Sequence, residues 1–227
     1  MQRIFDICFS ALALLVLLPL LVPIVVILRF TGEGEVFYLQ KRIGRGGQPF
    51  NLYKFATMLK NSPSLGTGTI TVNNDPRILP VGRFLRRTKI NELPQLLNIL
   101  LGDMSIIGPR PLTNQTFAAY DESTQNAIAK VRPGLSGIGS IIFRGEEDIL
   151  AGANGSIQFY TDTIAPYKGS LEMWYIANYT LANYLKAIAV TAIVVVLPKS
   201  PIVWKAFRGL PEPPDKLMEP LKYSSTV

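Results

Sequence analysis

Between Asp75 and Glu92 every charged side chain is a cation: Arg77, Arg83, Arg86, Arg87 and Lys89. On a helix, Arg83, Arg86 and Arg87 share one face. Planar guanidinium forks at this density match the oxygens of a diphosphate. A solvated basic face resting on anionic lipid is the competing reading. The residues that follow favour the diphosphate. Glu92 closes the cluster in Asn91-Glu92-Leu93-Pro94-Gln95, and a carboxylate beside several cations stays ionised, ready to hold Mg²⁺ against a phosphate. Pro94 sets a helix start next to it. Gly102-Asp103-Met104-Ser105 and Gly108-Pro109-Arg110-Pro111 then add another acid and another arginine in tight loops. Each alone is ordinary turn chemistry; together they describe a site for an anionic substrate.

Composition narrows the chemistry further. The chain has 227 residues, 23 Lys+Arg against 16 Asp+Glu, a net charge of +7, one cysteine and no histidine. The absence of histidine excludes Ser-His-Asp and Cys-His catalysis, a histidine base and His-ligated zinc. One cysteine excludes an internal disulfide framework and multi-cysteine metal clusters. Carboxylates, hydroxyls, Lys, Arg and an oxygen-bound metal remain. The basic excess favours an anionic partner. Nucleic acid is disfavoured, because the cations adjoin acids and an apolar segment rather than a recognition helix.

The elements that must position these groups begin with a membrane segment. From Ile7 to Leu28 there is no charge, and as helix this run reaches about 33 Å, enough to cross a hydrocarbon core. It is longer than a usual signal-peptide core and no small-x-small cleavage site follows it. Pro19 and Pro23 lie on one helix face and predict a bend. The basic residues after the run (Arg29, Lys41, Arg42, Arg45) outnumber Arg3 before it, which places the following domain in the cytoplasm. A tight bend would return both ends to that side, and a straight span would not. Beyond it, strands at 35–40 and 50–55 flank a Gly44-Arg45-Gly46-Gly47 turn. That glycine cluster opens no helix and reads as a hairpin turn rather than a phosphate loop. A loop covers 61–74, a helical region interrupted at Pro94 covers 81–101, and a helix covers 115–130. The apolar run 187–197 is too short to span a bilayer and reads as a core or interfacial helix. The expected organisation is a membrane segment over 1–30, a domain over 31–208 and a Pro-rich flexible tail over 209–227.

With these motifs in order, the chain resembles the bacterial sugar transferases, small monotopic polyprenyl-phosphate phosphoglycosyl transferases. The resemblance rests on the proline-bearing apolar segment, LYKFATM at 52–58, NDPRILPVGRFLRRTKINELPQLLNILLGDMSIIGPRPL at 74–112 and VRPGLSGIG at 131–139. It implies a helix-dominated α+β fold: a re-entrant helix-break-helix in the membrane, then a compact cytoplasmic domain with a small β-hairpin and amphipathic interfacial helices. Pro19 matches the family's bend proline, although Leu18 stands where serine is usual. The implied reaction moves a sugar-1-phosphate from a UDP-sugar to polyprenyl phosphate with Mg²⁺ and releases UMP, at the start of a glycoconjugate or exopolysaccharide pathway. Membrane lipid and a second copy of the chain are further implied partners.

In typical members an Asp-Glu pair precedes Leu-Pro-Gln; the Asp attacks phosphorus and the Glu helps hold the metal. Here Asn91 takes the nucleophile position and Glu92 keeps the metal position. An amide is a very poor nucleophile. Three readings stand: direct attack by the polyprenyl phosphate, a nucleophilic Glu92 or Asp103, or an inactive chain. A non-catalytic membrane module that binds nucleotide-sugar or anionic lipid is the alternative from another class. The resemblance places phosphate contacts on Pro109 and Arg110 and on basic residues including Lys54, Arg77, Arg86, Arg87, Arg132 and Arg144, with Asp162 at a late acidic position.

Overall fold

The computed structural model describes residues 1–62, 75–152, 157–198 and 200–223. The loop expected over 61–74 therefore lies, from residue 63 on, outside the described residues. The chain divides into two compact units: an N-terminal unit of Asp6–Lys41 and Asn51–Gly102, and a C-terminal unit of Met1–Phe5, Arg42–Phe50 and Asp103–Val227.

Helix α1 (Gln2–Phe30) is 29 residues long, about 43 Å at the α-helical rise. By length and composition it is able to cross a membrane. Pro19 and Pro23 lie inside it without interrupting it, so the helix break expected there is absent from the secondary structure. Each proline removes one N–H, and Pro23 removes the donor that Pro19's carbonyl would use; the bonds on the other faces carry the helix past them. Most of the helix exposes apolar side chains, Leu15 and Val16 among them. Toward its C-terminal end Ile24 and Leu28 are buried with Phe55 and Leu85, forming the small core of the N-terminal unit.

Strands β1 (Phe37–Ile43) and β2 (Pro49–Phe55) form the expected hairpin. Its turn takes positive φ at Gly46 and Gly47, which explains the glycine cluster. Helix α2 (Pro80–Arg87) starts on a proline and turns Gly82 and Leu85 inward. It runs so close to the chain at Thr57 that a Cβ on Gly82 would sit 2.2 Å from the Thr57 carbonyl oxygen. A 3₁₀ turn at Ile90–Glu92 leads through Pro94 into α3 (Gln95–Leu101), which Gly102 ends in a left-handed conformation. Asn98, buried on α3, accepts a hydrogen bond from the Tyr53 amide at 2.9 Å and donates one to the Asn51 carbonyl at 2.8 Å, tying α3 to β2.

In the C-terminal unit β3 (Ser105–Ile107) and β4 (Gly134–Ser136) pair in parallel, with Ser105 opposite Gly134 and Ile107 opposite Ser136. The helix expected over 115–130 is two helices, α4 (Asn114–Phe117) and α5 (Glu122–Lys130). The break has a chemical cause: Asp121 caps α5 by accepting from the Thr124 amide at 2.9 Å, and Thr113 caps α4 in a capping box with Thr116. Helices α6 (Ile138–Ile142), α7 (Glu146–Gly152) and α8 (Ile157–Phe159) follow, and a π-helical stretch over Tyr160–Ile164 leads into α9 (Ala165–Ala177). Helix α10 (Leu181–Val196) includes most of the apolar run and buries Tyr184, Ala187, Val190 and Val194 in the core. Helices α11 (Ile202–Ala206) and α12 (Asp215–Met218) complete the unit. The Pro-rich segment from Gly209, expected as a flexible tail, packs through residue 223: Leu217 and Leu221 enter the core, and Tyr223 meets Trp204 edge-on at 5.0 Å. Apolar side chains spaced between the prolines supply that anchorage.

Candidate active site

The short turn after α2 places the expected acid of the N-terminal unit. Lys89 takes a left-handed conformation (φ 60°), which turns the chain into the Ile90–Glu92 3₁₀ turn. Glu92 then faces β2, where Lys54 Nζ stands 3.5 Å from its Oε1, and both side chains are largely buried. Partial burial makes the attraction within such a pair stronger than in an exposed one. Asn91 is buried beside it, and its Oδ1 has no hydrogen-bond partner. A buried amide oxygen without a donor carries a desolvation cost that a ligand can relieve.

The arginines preceding this turn separate into different roles. Arg77 is buried in a bidentate pair with Asp75, Nε to Oδ1 at 2.8 Å and Nη2 to Oδ2 at 2.6 Å, and its Nη1 donates to the Ser62 carbonyl at 2.7 Å. Its Nε, Nη1 and Nη2 are thus all engaged within the fold. The fork geometry that suits phosphate suits a carboxylate equally, and Asp75 lies two residues away. Arg86 is half-buried with Nη1 3.8 Å from the Met58 sulfur, while Arg87 is exposed.

The Gly-Pro-Arg-Pro turn is built by backbone in the C-terminal unit. It leaves β3 and lies against β4: the Gly134 amide donates to the Pro109 carbonyl at 2.8 Å and the Gly108 amide to the Ser136 carbonyl at 2.9 Å. A Cβ on Gly134 would fall 2.1 Å from the Gly108 nitrogen. The motifs at 108–111 and 131–139, separate in sequence, thus form one backbone assembly. Arg132 is part of it and half-buried, whereas Arg144 and Asp162 are exposed.

Beneath this assembly lie groups that the sequence reading missed. Glu172 on α9 is buried, with one carboxylate oxygen against Gly139, and the backbone amides of Arg110 and Gly139 hydrogen-bond to it. Burial pushes its pKa up to about 8, while Lys168 and those two amides pull the other way. Lys168, one turn earlier, binds both oxygens of Glu146 at 3.0 Å and stands 5.5 Å from the Phe143 ring centre. Tyr160 is pushed up to about 12 by burial and by Glu146, with Arg110 opposing them. The available signal was the Lys168/Glu172 pair at i, i+4 in an otherwise uncharged helix.

The bacterial sugar transferase family model matches residues 1–198. The chain belongs to this family. The exopolysaccharide production protein ExoY of Sinorhizobium fredii is 36% identical over 159 residues, covering 64% of this chain and 70% of that protein. The undecaprenyl-phosphate galactose phosphotransferase of Salmonella typhimurium is 34% identical over 211 residues, 86% of this chain and 40% of its own. The UDP-glucose:undecaprenyl-phosphate glucose-1-phosphate transferase of Escherichia coli is 36% identical over 168 residues, 70% of this chain and 35% of its own. The chain thus spans most of ExoY and well under half of the two larger transferases. As a sugar transferase it keeps Lys54 and Glu92 together in one unit and the Gly-Pro-Arg-Pro turn with Arg132 in the other.

Proposed function

We propose that this sugar transferase moves a sugar-1-phosphate from a UDP-sugar to polyprenyl phosphate at the cytoplasmic membrane face, and that it does so by direct transfer. The observation that carries the reading is the Asn91-Glu92 turn: the acid is held 3.5 Å from Lys54, and the neighbouring position is a buried amide. In the proposed step an oxygen of the acceptor phosphate attacks the sugar-bearing phosphorus of the donor. The bond from that phosphorus to the oxygen bridging the two phosphates breaks, and UMP leaves with that oxygen. The acceptor phosphate is already an anion, so no general base is required. Positioning and charge neutralisation dominate phosphoryl transfer, which is compatible with the missing histidine and the missing aspartate.

Mg²⁺ suits this residue set. Among the described residues no three His, Cys, Asp or Glu side chains gather into a metal cage, and Mg²⁺ is commonly held by one or two carboxylates with the remaining positions on substrate phosphates and water. Glu92 would hold it, and the partnerless Oδ1 of Asn91 offers a neutral oxygen in the same turn. When bound, the ion neutralises charge on the diphosphate. Lys54 orients Glu92 within the N-terminal unit. Helix α1 anchors the chain as a re-entrant segment with both ends on the cytoplasmic side. The support for this is the pair of in-helix prolines, Pro19 and Pro23, each of which removes a backbone donor and eases a bend.

Full-length protein in membranes, given polyprenyl phosphate and a panel of UDP-sugars, is expected to release UMP only when Mg²⁺ is present. Glu92→Gln is expected to abolish this release. Trapping of a phosphosugar adduct on the protein would refute direct transfer. The amide at 91 also favours a second reading, a nucleotide-sugar-binding module without turnover. No UMP from any donor, with activity appearing in Asn91→Asp, would establish that reading.

A further inference from the structure

Away from Glu92 and the Gly-Pro-Arg-Pro turn, the C-terminal unit has an open cavity of about 400 Å³ where the end of α9, the start of α10 and the segment after α11 meet. Trp174 and Asn178 come from α9 and its end, Asn183 and Lys186 from α10, and Lys205 and Arg208 from α11 and beyond. Among the described residues three cations line it and no carboxylate does. Its floor is Phe207, buried, edge-on to Trp174 at 5.9 Å, and 5.5 Å below the Lys186 ammonium. Lys186 is held by a 3.1 Å bond to the Ala206 carbonyl, while Lys205 and Arg208 reach into solvent.

The helix beside this cavity explains what these three cations are for. Lys186 is the only charged residue of α10. With its core face taken by Tyr184, Ala187, Val190 and Val194, the helix exposes Leu185, Ile193, Val195 and Val196. Sixteen residues are too few to span a bilayer. A short helix with one apolar face outward and cations at one end suits the interface, where apolar side chains enter the acyl region and cations lie at phosphate depth. Trp174 and the exposed Tyr179 are of the type that concentrates at that level.

We propose that this cavity is a binding site for the phosphate of an anionic phospholipid, with the exposed face of α10 embedded beside it. The inference rests on the proposed membrane placement of the chain, and nothing in it depends on turnover. Lys205 and Arg208 hold the phosphate, Asn178 and Asn183 offer amides to the headgroup, and Trp174 packs along the glycerol region. The occupant is a lipid rather than a soluble phosphate compound because α10, which contributes Asn183 and Lys186 to the cavity, also exposes Leu185, Ile193, Val195 and Val196.

The test uses full-length protein in a neutral detergent, with tryptophan fluorescence followed during titration with dioctanoyl-phosphatidylglycerol, dioctanoyl-phosphatidylcholine, inorganic phosphate and UDP. A saturable change is expected with the anionic lipid alone, lost in Trp174→Phe. The double variant Lys205→Gln/Arg208→Gln, altered at two exposed positions, is expected to weaken it roughly 30-fold, as befits two cations at an anionic surface. Equal responses to the two lipids would overturn the proposal, and so would an unchanged affinity in the double variant. Saturation by phosphate or UDP at the same site would reassign the cavity to a soluble ligand. A chain that never releases UMP but passes this test would refute the proposed transferase reaction and leave the lipid site standing.

Discussion

Replacing Glu172 by glutamine tests the electrostatics beneath the Gly-Pro-Arg-Pro turn. Glu172 has an ordinary pKa of 4.5 and is raised to about 8 by burial. Between those values the folded protein keeps a proton that the unfolded chain has released. Stability therefore falls as pH rises from about 4.5 to about 8, and above that window the buried carboxylate is a full liability. The span corresponds to a loss on the order of 5 kcal/mol, or a melting temperature lower by on the order of 10 °C for a chain of this size. Glutamine keeps a carbonyl oxygen for the amides of Arg110 and Gly139 and never ionises. The wild type is thus expected to lose thermal stability steeply between pH 5 and pH 8.5, and Glu172→Gln to lose much less. The assay is thermal unfolding of the detergent-solubilised protein at half-unit pH steps, the difference between the two curves isolating residue 172. Parallel curves would show that Glu172 is ionised in the folded protein and would refute the reasoning.

Other substitutions separate scaffold from chemistry. Arg77→Ala strands the buried Asp75 carboxylate and is expected to cost about 3–5 kcal/mol of stability in thermal unfolding. Arg87→Ala, at an exposed position, is expected to change it by less than about 0.5 kcal/mol. Gly82→Ala drives a Cβ against the Thr57 carbonyl and is expected to destabilise by about 2 kcal/mol, read as a lower melting temperature. Lys54→Gln removes the cation that holds Glu92; a Mg²⁺ titration of UMP release is expected to show a roughly 10–100-fold loss with melting little changed, and an unaltered titration would refute the pairing.

Much of the candidate site was legible because its residues are neighbours in the chain. Glu92, the arginines before it and the rigid Gly-Pro-Arg-Pro turn are visible as runs of residue type, and the hairpin, Pro94 and Gly102 are local conformational signals. Arg77 shows what such runs of residue type leave open. Its type and position suit phosphate, but whether a guanidinium faces solvent or closes on a carboxylate is decided by burial, which the sequence does not display.

By itself, then, the sequence determined the family, the long apolar helix, the amide at 91 beside the acid at 92, and the exclusion of histidine and thiol chemistry. These depend on identity and order along the chain. The tertiary structure alone decided three other things: that Lys54 meets Glu92, that the turn at 108–111 is laced to 132–136, and that an acid on α9 lies buried beneath that turn. Each joins residues tens of positions apart, and their approach is set by how β-strands pair and helices bury their apolar faces. Pattern shows that such burial will occur; only packing selects which polar groups are carried inward with it.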